Sequence, residues 1–230
     1  MKIKILSWNI WVDGNVKKWE EFILKSNADI IGLQEVKDDD KERDIIGFLT
    51  KIGYKHMFAR TEQVWDGKIH RHGPAIFSKF PIVKSQKIQL KKGKNERAAA
   101  YAQIDGSGEL LNIFSTHLIH THQKSSEQQE EQTKKLISRL PKSKVIVMGD
   151  FNATPESESI KEMKKILVDT DPSLTPTWSV YPEGCGECNP QEINTKLDYI
   201  FVSKDLKSSS FEVGRSDGSD HLPISVTVEI

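Results

Sequence analysis

Six short apolar runs in this chain stop or start abruptly at an amide, an acid or an imidazole, and no other feature of the sequence constrains the fold as strongly. Run 3–8 leads directly into Asn9, run 30–33 into Gln34 and Glu35, run 111–115 into Thr116 and His117, and run 145–148 into Gly149, Asp150, Phe151 and Asn152. Asp198 opens the run Asp198–Val202, and Asp220 and His221 precede the alternating stretch 224–228. Runs of this length bounded by Gly, Pro, Asp or Asn read as strands. If their polar ends share one edge of packed sheets, the carboxylates converge on one pocket. They tolerate each other there only with a metal ion, pairing or water.

The remaining pattern supports packed sheets covered by helices. Strand signals recur at 3–8, 28–34, 74–78, 97–104, 109–115, 144–149, 196–202, 211–213 and 223–230. Between them, apolar residues at helical spacing predict helices over 15–25, 39–52, 125–140 and 156–167. Asp105, Gly106, Ser107 and Gly108 read as a hairpin turn and imply antiparallel pairing. With 230 residues, 37% of them hydrophobic, the chain can bury a core without disulfides or a structural metal. No linker or repeat divides it, so one domain over 1–230 is expected. The longest apolar stretches fall far short of the roughly 20 residues of a membrane span. The alternating N-terminus Met1–Leu6 lacks a signal-peptide core, which reads as cytoplasmic. Basic and acidic residues balance at 33 each, so any polyanion contact must be local.

The residue types gathered at the strand ends are selective. Oxygen donors at Asn9, Glu35, Asp150, Asn152, Asp198 and Asp220, with imidazoles at His117 and His221, favour a hard ion such as Mg²⁺ or Mn²⁺ over a thiolate-held zinc. A divalent ion beside a His–Asp pair suits phosphoryl chemistry, in which metal and donors stabilise the charged transition state and an oriented imidazole handles the attacking water. Taken singly, Asp150 and Asn152 read as a strand-to-turn cap, His117 as a satisfied buried histidine and Glu35 as a surface acid. The collective pattern reverses those readings.

Ser7-Trp8-Asn9-Ile10, Leu33-Gln34-Glu35-Val36, the segment 73–82 (GPAIFSKFPI), Ser115-Thr116-His117-Leu118, Gly149-Asp150-Phe151-Asn152, the segment 197–203 (LDYIFVS) and Ser219-Asp220-His221-Leu222-Pro223 together resemble the ordered signatures of the endonuclease/exonuclease/phosphatase superfamily. The resemblance spans 7–223 and implies an α+β fold, a four-layer α/β/β/α sandwich of two mixed β-sheets flanked by helices, with the site at one end. It implies that Glu35 is the principal metal ligand, supported by Asn9 and Asp220. It makes Asp150 and Asn152 the pair that orients the water and contacts the phosphate, His221 the imidazole oriented by Asp198, and His117 a phosphate ligand or general acid. Arg97, at the start of a strand, resembles a further phosphate contact on a less specific motif. Apurinic-site endonucleases of the superfamily usually carry Asp where this chain has Trp11, and Tyr where it has His117, which places the chain with the His-containing branches.

Those branches hydrolyse nucleic acids, lipid head groups or phosphorylated small molecules, and the choice rests on the segments 60–72 and 168–195, expected to be substrate loops. A nucleic-acid phosphodiester is favoured here, making the chain a Mg²⁺- or Mn²⁺-dependent nuclease. Lys84, Lys87, Lys91, Lys92, Lys94 and Arg97 form either a phosphate rail or a lysine-protected sheet edge, and Trp65 and Trp178 either stack on bases or anchor loops. The alternatives are a phosphodiesterase or phosphatase for a lipid head group or small metabolite, and a non-catalytic binding module. The last is disfavoured because no position of the metal-and-water set is inert. Cys185 and Cys188 lack a second Cys pair and read as free or structural thiols, and His120 and His122 as rim residues.

Overall fold

Alternation within the strands decides the layering. On β9 (Val145–Asp150), Ile146 and Met148 point to one face while Val145 and Val147 point to the other, and all four are buried. A strand buried on both faces must lie in the middle of a sandwich. The computed structural model describes residues 1–65, 67–179 and 193–230. It shows two mixed sheets packed face to face.

The first sheet runs β12 (Lys207–Val213), β13 (Ile224–Glu229), β1 (Lys2–Asn9), β2 (Ile30–Val36), β5 (Lys68–Ser78) and β3 (Lys55–Phe58), with β4 (Thr61–Trp65) paired to β5. The second runs β10 (Val168–Asp169), β11 (Asp198–Val202), β9, β8 (Glu109–His117), β7 (Arg97–Gly106) and β6 (Ile82–Lys91). Strands β1 and β2 pair in parallel, as do β8 and β9, and the other pairings are antiparallel. Ile3, Ile5, Ile30 and Ile76 of the first sheet meet Ala98, Ala100, Ile113 and Ile146 of the second in the central core. Gly32 permits the close approach, because a Cβ there would stand 2.7 Å from the Met148 thioether.

Helices close the two outer faces. Trp19 and Ile23 of α1 (Val16–Ser26) and Ile45 and Leu49 of α2 (Ile45–Lys51) pack on Leu6, Trp8, Ile31 and Phe77. Leu136 of α3 (Glu127–Ile137) and Ile160 and Met163 of α4 (Glu158–Ile166) cover Phe114, Val147 and Phe201. Each such buried side chain contributes about 1.5–3 kcal/mol. Caps set the helix starts: the Asn15 side chain accepts from Lys18 N, and Ser157 from Ile160 N. The four-layer α/β/β/α order implied by the resemblance is the one observed. Among the described residues no helix is long and apolar enough to cross a membrane.

Several elements differ from the sequence reading. The helix expected over 39–52 is a 3₁₀ turn, Lys41–Arg43, followed by α2, because Asp44 breaks the run and its side chain accepts from Gly47 N. The segment 60–72, expected to be a loop, is largely the β4–β5 hairpin. Its inward alternates Thr61, Gln63 and His72 are polar yet buried, so it lacks the apolar alternation that marks a strand. Strand β6 is the edge of the second sheet and carries exposed Lys84 and Lys87, in keeping with a lysine-protected edge. Lys87 bonds Glu96, and Lys91 bonds Gln128. The 105–108 turn is present, with Gly108 N donating to Asp105 Oδ1. Cys185 and Cys188 lie outside the described residues, as does the side chain of Trp65.

Candidate active site

Register alone brings three of the expected residues together. His117 pairs with Asp150 across the parallel β8–β9 ladder, and Asp150 pairs with Asp198 across the antiparallel β9–β11 ladder. On the first sheet Asn9 pairs with Gln34, next to Glu35. Glu35 sits in a bulge, where Gln34 and Glu35 occupy the space between the Leu33–Ala75 and Val36–Gly73 pairs, and its φ of 63° turns the carboxylate out of the strand pattern. Bulges commonly re-aim a side chain in this way, and a non-glycine residue held there carries strain of order 1–3 kcal/mol. Asn152 shares the left-handed conformation, with φ 48°. Gly149 holds the bend before Asp150 at φ 146°, where a Cβ would lie 2.0 Å from the Thr116 carbonyl oxygen.

These ends open on a cavity of about 590 Å³ lined by Asn9, Glu35, Arg97, His117, Asp150, Asn152, Asp220 and His221. Asp198 is the one expected site residue outside that lining, fully buried behind His221. Asp150 is the hub. Its Oδ2 accepts from Asn9 Nδ2 at 3.0 Å and from Asn152 Nδ2 at 3.3 Å, and its Oδ1 from Asn152 N at 2.8 Å. His117 Nε2 and His221 Nε2 stand 3.4 and 3.6 Å from the same Oδ2. His221 Nδ1 lies 2.8 Å from Asp198 Oδ2, which also accepts from Thr177 Oγ1 at 2.6 Å. Glu35 accepts from Asn9 Nδ2 and from Val12 N, and Asp220 Oδ2 from Trp178 Nε1 at 3.2 Å.

Burial sets the charge states. It raises the Asp150 carboxyl, with Asp198 adding to the rise and His221 opposing it. Burial also works against the His221 imidazolium, but Asp198, Asp150 and Asp220 hold it well above the ordinary histidine range. The two imidazoles therefore diverge, because burial and the Arg97 charge hold His117 well below that range. Glu35 is raised by burial and by the Asp220 charge. Glu35 and Asp220, facing a pocket that the Asn9 amide also lines, make a hard-oxygen set suited to a divalent cation. A second candidate set, Asp150, Asp198 and His221, has donor atoms within 4.8 Å of one another, but its His221–Asp198 contact is a hydrogen bond.

The structure also places residues the sequence reading did not assign. Gln63 and His72, on the hairpin expected to be a loop, line the cavity. Thr177 supports Asp198, and Trp178 is buried in the wall as an anchor. From α3, Gln129 Nε2 donates to the carbonyls of Ile119, Phe151 and Asn152 and so fixes both loops that carry Asn152 and His120. His120 and His122 line the cavity as rim residues, with His120 Nδ1 2.8 Å from Asn152 Oδ1. Gln129 lies on a helix face whose polar composition reads as solvated, and Thr177 in an irregular segment, so hydrophobic pattern marks neither.

Solved structures of similar fold are numerous. An endonuclease/exonuclease/phosphatase from Beutenbergia cavernae superposes with a TM-score of 0.81 at 19% identity, covering 100% of this chain and 72% of its own. The human Nocturnin catalytic domain with bound sulfate gives 0.69 at 24% identity, covering 99% and 94%. A mannosyl-6-phosphatase from Bacteroides thetaiotaomicron gives 0.70 at 18% identity, covering 99% and 100%. No curated protein matches the chain significantly in sequence. The family model described as the endonuclease/exonuclease/phosphatase family matches residues 6–221. With a match over nearly the whole chain and a two-sheet sandwich to carry it, the chain belongs to the endonuclease/exonuclease/phosphatase family of divalent-metal-dependent, hydrolytic phosphoesterases.

Proposed function

We propose that the protein is a Mg²⁺- or Mn²⁺-dependent phosphodiesterase, in first reading a nuclease, that hydrolyses its substrate by in-line attack of water. The observation that supports this reading most is the convergence on Asp150: two amides and two imidazoles, one of them the carboxylate-backed His221, meet one buried acid. Glu35, Asp220 and the Asn9 amide oxygen are the residues that would hold the cation, since in the alternative set His221 and Asp198 are hydrogen-bonded to each other. When bound, the cation supplies charge neutralisation to the phosphoryl oxygens.

The chain's own groups divide the rest. Asp150, raised by burial, accepts a proton from the attacking water while Asn152 and Asn9 hold its carboxylate in place. His221, fixed by Asp198, presents a protonated Nε2 to a phosphoryl oxygen. His117 is the neutral imidazole on the other side of Asp150, within reach of a leaving-group oxygen. Arg97 contacts substrate phosphate.

Nucleic acid is the first substrate class because exposed Lys92 and Lys94 sit in the turn that leads directly to Arg97, giving a local basic approach on a chain of zero net charge. A phosphorylated small molecule is the second, favoured by the engagement of Lys87 with Glu96 and Lys91 with Gln128, which shortens any rail. The test is Mg²⁺-dependent cleavage of end-labelled single-stranded, duplex, nicked and abasic oligonucleotides, with chelator and Asp150→Asn as controls. Cleavage sensitive to both supports a nuclease. Intact oligonucleotides together with turnover of a simple phosphodiester or phosphomonoester move the assignment to small substrates.

A further inference from the structure

One wall of the cavity is built differently from the rest. In the second sheet the strand order β11-β9-β8-β7 carries Asp198, Asp150, His117 and Arg97 at successive positions along one edge. Ala99 pairs with Thr116, so Arg97 stands at the end of β7 at which His117 stands on β8. Two strand spacings, roughly 10 Å, therefore separate the backbones of Arg97 and Asp150. Gln63 and His72, from the β4–β5 hairpin, line the cavity with Arg97.

Arg97 is only 7% exposed. Its Nη1 donates to the Glu96 carbonyl at 3.2 Å, its Nε has no hydrogen-bond partner, and no carboxylate among the described residues lies within ion-pair distance. Burial lowers its pKa to about 10, so it remains a guanidinium at neutral pH, supported from farther off by Glu35 and Asp150. Burial, with Arg97 adding to it, brings His72 down to about 3, so that ring is neutral. A buried cation with an unspent donor, bordered by uncharged polar groups and facing a cavity, is an incomplete arrangement. An anion completes it, and the planar guanidinium fork favours phosphate.

We propose that Gln63, His72 and Arg97 form a second anion subsite, which binds a phosphate group of the substrate other than the one hydrolysed at Asp150 and His221. The subsite rests on the phosphoesterase reading and narrows its substrate class to molecules with a second phosphate. Oligonucleotides and bisphosphorylated small molecules share that chemistry. The hairpin's polar inward face then has a function: Gln63 and His72 shape the subsite while Arg97 supplies its charge.

Two measurements test this. In EDTA, inorganic phosphate is titrated while the Arg97 Nε–H resonance, assigned by its loss in Arg97→Gln, is followed by NMR. A saturable shift is expected, and a resonance that stays fixed overturns the subsite. In Mg²⁺, kcat/KM is compared for a dinucleotide with and without a terminal phosphate, and for a sugar bisphosphate against its monophosphate. The wild type is expected to prefer the doubly anionic member by about tenfold or more in one arm, which identifies the source. Within-variant ratios should fall to near one in Arg97→Gln and in Gln63→Glu, and recover partly in Arg97→Lys. A flat wild-type ratio in an active enzyme, or a ratio unchanged in Arg97→Gln, overturns the proposal. A phosphate-dependent Arg97 shift without turnover of any substrate would sink the phosphoesterase reading and overturn the substrate role of the subsite, leaving only an anion site at Arg97.

Discussion

His221 Nδ1 lies 2.8 Å from Asp198 Oδ2, and that contact determines which ring nitrogen faces the cavity. Asp198 itself never reaches the cavity, and Thr177 holds its Oδ2 from the other side at 2.6 Å. Asp198→Asn leaves the shape unchanged but offers the ring a weaker and differently polarised partner. The expected loss in kcat is about 10²–10⁴-fold with a smaller change in KM, the range of a misoriented acid–base group. Steady-state kinetics in Mg²⁺ check this, and an unchanged kcat would remove His221 from the reaction.

Asp150→Asn tests the hub. The amide oxygen can still accept from Asn152 N, so the fold should persist with a melting temperature within a few degrees of wild type. The group can no longer take a proton, and turnover should fall by at least about 10³-fold. Circular dichroism melting and a metal-dependent phosphodiester assay on the same preparation separate the two effects. Retained turnover would show that Asp150 is structural.

His72 predicts an acid-dependent stability term. Its folded-state pKa is depressed to about 3 by burial and by Arg97, against about 6.5 in the unfolded chain. For a base with a lowered pKa, stability is fully present above the unfolded value and is lost as pH falls below it. The loss approaches about 1.4 kcal/mol per pH unit until the folded value is reached. Urea unfolding of wild type and His72→Gln at pH 7 and 4.5 should show a wild-type loss larger by about 2–3 kcal/mol. Equal losses would mean that His72 is not held neutral.

The strand ends are legible because strong apolar runs stop at chemically distinctive residues, so Asn9, Glu35, His117 and Asp150 read as one pocket provided the strand ends share an edge. Their convergence with Asp220 and His221 follows from pairing β1 with β13 and with β2, a long-range choice that the local pattern of β1 leaves open. The β4–β5 hairpin reads as a loop in the sequence because its buried side chains are polar, and Gln63 and His72 are hidden with it. Thr177 escaped for a related reason: a hydroxyl in an irregular segment carries no periodic signal, and its role exists only once Asp198 arrives from residues farther along the chain. Composition was equally silent on Gln129, whose polar helix face turns inward.

Gln129 supplies the sharpest test of how the outer helix governs the site. Its single amide nitrogen lies 3.0, 3.2 and 2.8 Å from the carbonyls of Ile119, Phe151 and Asn152, and the residue is almost fully buried. Gln129→Met keeps the volume and removes the donor, leaving buried carbonyl oxygens to find new partners at a cost of about 1–3 kcal/mol. Because Asn152 N and Nδ2 both bind Asp150, movement of that loop reaches the hub directly. The expected result is a modest stability loss with a clear fall in kcat, whereas Thr133→Val, one turn along α3, removes the Thr133 Oγ1 bond to the Gln129 carbonyl and should lower stability alone. If both variants lower stability and neither changes kcat, α3 supports the fold without positioning Asn152.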